Sequence, residues 1–250
     1  MTFTLPSLVW KETTYTPQEM ARFSVPMVEI FETVEGEGLR AGFPTVFVRV
    51  FHCNLRCVWC DTPYSYAPAK PEFEATVEEI VHKVKGFASR AICLTGGEPL
   101  IHGHKSAALI HGLSYVDSFE DIHIETNGAI DLQPFARIRE QDPVWDKKVR
   151  FIMDYKLPAS GEMERMIHSN FEYLRNGDEI KFVIGSDEDF ECALKVMERY
   201  HRRGTVLMSP VWETMPPMKL VEKVLSHGLA HVKVNLQLHK IIWDPDQRGV

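Results

Sequence analysis

A chain of 250 residues with 44% hydrophobic and 25% charged side chains can bury a full core, and one domain accommodates it. Its net charge of −7 excludes a protein whose main work is gripping nucleic acid by the phosphates, leaving room only for a local basic patch. Residues 1–14 lack a basic start followed by an apolar stretch, and no uncharged apolar run reaches membrane-spanning length, so a reducing cytoplasm is the expected compartment.

Residues 1–25 read as an N-terminal extension without an assigned role (lid, dimer arm or disorder) ahead of a single domain over 26–250. Strand-like runs rich in β-branched residues follow at 45–51, 91–95, 121–125, 149–154, 179–184, 205–209 and 231–238. Between the first two, Thr76 with Glu79 three residues on is a capping-box pattern, and Val77, Ile80, Val81 and Val84 share one helical face. Phe190, Ala193, Leu194 and Met197 repeat that spacing, as do Met218, Val221 and Leu225 before Gly228, a helix terminator. Steady strand–helix alternation predicts right-handed βαβ units in an α/β fold, a partial (βα)6 barrel of the TIM type. In such folds the chemistry collects at loops after strands. Here those loops are the segment 52–61, then 96–99, then 125–128, then Lys156.

The first of these loops holds Cys53, Cys57 and Cys60 at CxxxCxxC spacing. An iron-sulfur cube takes one cysteine per iron, so three cysteines leave one iron open to a reactant. Zinc is the competing reading, with His52 or Asp61 completing a tetrahedron. The odd cysteine count and the clustering argue against disulfides, and Cys93 and Cys192 read as isolated residues, Cys93 as a small core side chain. Gly96-Gly97-Glu98-Pro99 is either a tight turn or a place where glycines admit a ligand to the backbone and Glu98 holds an ammonium group.

The cysteine loop with Trp59 before its last cysteine, together with Gly96 to Pro99, resembles the radical S-adenosylmethionine superfamily. The resemblance implies a 4Fe-4S cluster on Cys53, Cys57 and Cys60, with S-adenosylmethionine on the fourth iron. It places Trp59, Gly96, Gly97, Glu98, Glu125, Asn127 and Lys156 beside that cofactor. A narrower likeness, carried by 29–38, 47–49, 61–62, 124–128, 237–243 and the Arg-Gly-Val end, is to the 7-carboxy-7-deazaguanine synthase family. It implies a carbon-nitrogen lyase of queuosine and 7-deazapurine biosynthesis, using Mg2+ on Thr62 with Asp61 as a further candidate. It also implies a homodimer, a flavodoxin- or ferredoxin-type reductant, and a pterin substrate held by Glu35, Glu37, Gly38, Arg49, Thr95, Gln237 and His239. No side chain is assigned the catalytic step, since the radical is the reactive species.

The residues make chemical sense of such a substrate. Arg49 shares strand parity with Cys53 and, once buried, needs an anion: a substrate carboxylate, or Glu35 or Glu37 in an ion pair. Glu37 can accept from an aminopyrimidinone edge or be one end of an acidic turn, Asp61 can cap its loop, Lys156 can be solvated, and Gln237 and His239 alternate on the last expected strand. Many family members carry Gln where Glu35 stands, and some carry Ser-Pro-Lys where this chain has Asp154-Tyr155-Lys156. A glycyl-radical activase would share the cysteines and Gly96 to Pro99 without calling for Glu37, Arg49, Thr62, Gln237 and His239. The alternative of a different class is a non-catalytic zinc or iron-sulfur module.

Overall fold

The computed structural model describes residues 5–244 and 247–249; the first four residues of the extension and Val250 of the Arg-Gly-Val end lie outside them. Strand β1 (Leu8–Trp10) pairs with β2 (Thr13–Tyr15), and helix α1 (Pro17–Ala21) leads into β3 (Ser24–Val34). The chain continues as β4 (Pro44–Val50), β5 (Phe73–Thr76), α2 (Val77–Val84), β6 (Ala91–Gly96), α3 (His104–Ser114), β7 (Asp121–Thr126), α4 (Gln133–Gln141), α5 (Pro143–Lys148) and β8 (Val149–Tyr155). It ends with β9 (Glu179–Ile184), α6 (Asp187–Tyr200), β10 (Thr205–Pro210), α7 (Pro217–Ser226), β11 (Val232–Val234) and α8 (His239–Ile242).

Except for the hairpin, the strands form one 9-stranded sheet in the order β11-β10-β9-β8-β7-β6-β4-β3-β5. From β4 to β11 the pairings are parallel, and β3 and β5 add an antiparallel edge, so the barrel is partial, as its sequence alternation requires. Six of the expected strands appear within a residue of their predicted bounds. The seventh is cut short at Val234, because the chain then turns and Leu238 donates its N–H to Gly36 at 3.0 Å. Gln237 and His239 therefore do not alternate on a strand; His239 opens a short helix. The longest strand, β3, was not among those expected: its sequence stood out for carboxylates and glycines instead of for its alternation.

Helix α2 has the expected capping box, with Glu79 accepting from Thr76 N at 2.7 Å. Helix α7 also forms, but its buried face is Leu220 and Val224, while Met218 and Leu225 are exposed. Both faces of that segment are apolar, so spacing alone could not choose between them. No α-helix joins β8 to β9; 3-10 turns at Pro158–Ser160, Met163–Arg165 and His168–Tyr173 do so. Residues 5–23 pack on the body, with Leu8 and Met20 buried, Trp10 edge-on to Phe135 and Tyr15 stacked on His104. No described helix is long and apolar enough to cross a membrane.

Candidate active site

On the central strands, charged residues stand an even number of positions apart: Asp121, His123 and Glu125 on β7, Arg150 and Asp154 on β8, Glu179 and Lys181 on β9. A period of two sets each group on one face, and the faces meet: Arg150 Nε donates to Asp121 Oδ1 at 2.6 Å and Arg150 Nη1 pairs with Glu179. The intervening Ile122, Ile124, Phe151, Met153, Ile180 and Phe182 are buried in the apolar layer. The barrel interior is thus polar, and at the carboxyl ends of the strands it opens into a cavity of about 830 Å³. That volume falls within the usual range for small-molecule sites.

The cysteine loop forms one wall. At its start His52 takes a left-handed backbone (φ 85°), unusual for a residue with a Cβ, and is held there because Glu98 N donates to His52 O at 2.7 Å and His52 N to Ser65 O at 2.8 Å. Gly97 is required by crowding: a Cβ there would stand 2.1 Å from His52 O and 2.9 Å from Cys53 N. Gly96, at φ +134°, would meet Val50 O at 2.1 Å. These glycines line the cavity, but the atoms pressing on them belong to the chain itself.

Cys53, Cys57 and Cys60 all line the cavity and are unpaired with one another. Tetrahedral zinc with Zn–S near 2.3 Å would need sulfurs about 3.8 Å apart. Among the described residues the three thiols do not form a group with all ligand atoms within 4.8 Å, so they are not gathered as tightly as one tetrahedral zinc requires. Cys53 Sγ also accepts from Leu55 N at 3.4 Å and Asn127 Nδ2 at 3.7 Å, contacts that favour a thiolate. Burial pushes the Cys57 thiol up to about 11, against the pull of Lys156, so metal is needed to make it a thiolate ligand.

Further residues converge on the same space: Trp59, Asp61, Thr62, Thr95, Glu125, Asn127, Lys156, Arg49, Glu35, Glu37, Gln237 and His239 all line the cavity. Thr62 Oγ1 stands 3.8 Å from Cys60 Sγ, and Thr95 Oγ1 donates to Glu125 Oε2 at 2.8 Å. Lys156 is half-buried and pairs with Asp154 at 2.8 Å instead of standing free in solvent. Arg49 is paired with Glu29, its direct cross-strand neighbour, at 2.8 Å, and neither with Glu35 nor with Glu37.

Two expected ligand residues do not reach the cavity. Glu98 is fully buried, its carboxylate accepting from Asn127 N at 2.7 Å, Leu100 N at 2.9 Å and Thr126 Oγ1 at 3.0 Å, so it ties the second and third loops together and is not placed to hold an ammonium group. Burial pushes it up to about 7 despite those donors. Gly38 lies behind the wall at φ +68°, where a Cβ would meet the Glu179 carboxylate at 2.5 Å, and gives its N–H to Asn235 Oδ1.

Glu35 and Glu37, two residues apart, do different work. Glu35 Oε2 pairs with His123 Nε2 at 2.7 Å, and His123 Nδ1 lies 3.2 Å from Asp121. Glu35, Cys93 and His123 form the one tight group of metal-ligating side chains among the described residues, but both ring nitrogens already face carboxylates, so the group reads as a buried ion network. Burial opposes the imidazolium, yet those two carboxylates raise His123 to about 9. A group raised above its unfolded value of ~6.5 lends stability that is whole below that pH and lost as pH climbs through 9. The melting temperature should therefore fall between pH 6.5 and 9 and do so less in His123→Gln; parallel pH profiles would show that the ring is neutral.

Glu37 faces the cavity with three donors on it: Lys181 Nζ at 3.2 Å and Asn235 Nδ2 at 3.1 Å on Oε2, and Gln237 Nε2 at 2.9 Å on Oε1. Burial works against its charge, but Lys181 and Gln237 hold the carboxyl at about 2. The sequence reading missed Lys181 and Asn235. The alternation of charge along 179–183 was the available signal for Lys181.

Three cavity-lining thiols beside a polar lumen, at the carboxyl edge of a partial βα barrel, define a radical S-adenosylmethionine enzyme, and the Radical SAM superfamily model matches residues 48–219. Such enzymes carry a 4Fe-4S cluster and S-adenosylmethionine, and the three cysteines gathered in one cavity-lining loop are the donor set for that cluster. Within the superfamily the chain belongs to the 7-carboxy-7-deazaguanine synthase family of lyases. It is 35% identical over 226 residues to the 7-carboxy-7-deazaguanine synthase of Clostridium acetobutylicum, covering 90% of this chain and 98% of that one. It is 34% identical to that of Thermoplasma acidophilum, covering 87% and 96%. The crystal structure of QueE from Escherichia coli shares the fold, with a TM-score of 0.67 at 20% identity over 88% of this chain and 96% of the other.

Proposed function

We propose that the chain converts 6-carboxy-5,6,7,8-tetrahydropterin to 7-carboxy-7-deazaguanine with loss of ammonia, as a cytoplasmic homodimer served by a flavodoxin- or ferredoxin-type reductant. The observation that carries this reading is one cavity lined both by the three thiols and by Glu37, Arg49, Gln237 and His239, a set suited to a flat heterocycle bearing a carboxylate. When bound, the cluster and S-adenosylmethionine supply a radical able to take a hydrogen atom from carbon. The chain's own residues bind and orient. Arg49 offers its guanidinium to the substrate carboxylate, since among the described residues only its Nε is hydrogen-bonded, and Glu37 accepts from the ring N–H edge. Thr62 and Asp61 are oxygen donors suited to Mg2+, which keeps most of its shell for water and substrate. Asn127, Glu125 and Lys156 line the part of the cavity assigned to S-adenosylmethionine.

The test is anaerobic reconstitution with iron and sulfide, then addition of S-adenosylmethionine, a reductant, Mg2+ and the carboxypterin. Formation of 7-carboxy-7-deazaguanine supports the reading, and 5′-deoxyadenosine without that product removes it. Arg49→Ala is expected to weaken pterin binding by about 10- to 100-fold while reductive cleavage of S-adenosylmethionine stays measurable. An unchanged substrate affinity would take Arg49 out of the site.

A further inference from the structure

Glu35, Glu37 and Glu125 all line the cavity. Glu35 has His123 for a counter-ion, and Arg49 is engaged by Glu29. Among the described residues, that leaves Lys181 as the cation paired with Glu37, at 3.2 Å, and neither Glu35 nor Glu125 has an ion pair with it. Lys181 itself lines the cavity, is half-buried on β9, and lies 3.6 Å from Asp154, whose other cation is Lys156 at 2.8 Å. The other side chains hydrogen-bonded to Glu37, Asn235 and Gln237, are neutral donors, and His239, whose charge would also act on Glu37, is held toward its neutral form by burial. Amides orient a carboxylate but do not balance its charge. Three hydrogen bonds also leave a carboxylate with an accepting direction unused, since its two oxygens offer about four.

We propose that Lys181 is a positioning residue for substrate recognition: its ammonium keeps Glu37 an oriented carboxylate, so that this group accepts from the N–H edge of the substrate ring. The inference rests on the pterin reading and adds to it the residue that gives Glu37 its acceptor character. Without the ammonium, the half-buried Glu37 would be drawn toward its protonated form and present a donor to a donor.

Two measurements test the inference and separate its failure from that of the pterin reading. The first needs no substrate. Infrared difference spectra of Lys181→Met against the parent protein should show a new carboxylic-acid C=O band, absent from the double variant Glu37→Gln/Lys181→Met. The second is binding of 6-carboxytetrahydropterin and of S-adenosylmethionine to the cluster-loaded protein. Lys181→Met should weaken pterin binding by about 10- to 100-fold with little change for S-adenosylmethionine, Lys181→Arg should restore most of the loss, and Lys181→Met should add little once Glu37 is Gln. Lys181→Gln is measured alongside so that a misfolded methionine variant does not decide the matter. Loss of S-adenosylmethionine affinity alone, additive effects in the double variant, or no new band would each overturn the proposal. Failure of the parent protein to bind the pterin would instead remove the substrate reading, whatever the infrared spectra show.

Discussion

Gly97→Ala is expected to leave a protein that cannot load its cluster. The new methyl carbon would sit 2.1 Å from His52 O and 2.9 Å from Cys53 N, and both are backbone atoms with no rotamer to escape into. The corner is pinned on the other side by the hydrogen bonds Gly97 N to Val50 O at 3.2 Å and Glu98 N to His52 O at 2.7 Å, so relief requires pushing Cys53 away from the other two thiols. Overpacking of this kind costs about 1–3 kcal/mol or more, a loss a domain can survive, whereas a cluster ligand moved by about an ångström is misplaced for a site that must be held within about half of that. Iron and sulfide content, with the visible absorbance of the reconstituted protein, is the measurement. Full loading at parental iron content would show that the loop yields more readily than this packing allows.

Asp178→Ala should be the most destabilising single change away from the cavity. Asp178 accepts from Arg139 Nη1 at 2.8 and 3.0 Å, from Phe151 N at 2.8 Å and from Arg175 N at 2.6 Å. Arg139, which is 1% exposed and stacked on Phe151, would be left a buried cation without its anion. Breaking such a pair from one side costs about 3–5 kcal/mol, while replacing both partners by apolar groups is often close to neutral. Denaturant unfolding should therefore show a large loss for Asp178→Ala and a smaller one for Arg139→Leu/Asp178→Leu. Equal losses would mean that the pair itself, and not the orphaned charge, sets the cost. Activity per folded molecule should not change, because neither residue lines the cavity.

Much of the site was legible because local spacing carries it. The three cysteines fall in one loop, the loops after β4, β6, β7 and β8 follow from strand alternation, and a parallel sheet sends them all to one edge. Spacing does not show which charged residue near a motif faces a ligand: Glu98 is consumed by backbone amides at 2.7 and 2.9 Å and a threonine hydroxyl at 3.0 Å, while Glu35 lines the cavity and also pairs with His123 at 2.7 Å. Helix α7 was placed correctly and turned the wrong way, since apolar residues on two faces give spacing nothing to choose between.

By itself the sequence determined the order of strands and helices, the edge at which the chemistry gathers, and the three-thiol loop, because these depend on residue type and on separations of a few positions. Only the tertiary structure decided which carboxylate meets which cation. Glu37 finds Lys181 from 144 positions away and Gln237 from 200, and Glu35 finds His123 from 88. Pairings at such separations are set by sheet register and by the cost of leaving a buried charge alone, neither of which is written in any local stretch of chain.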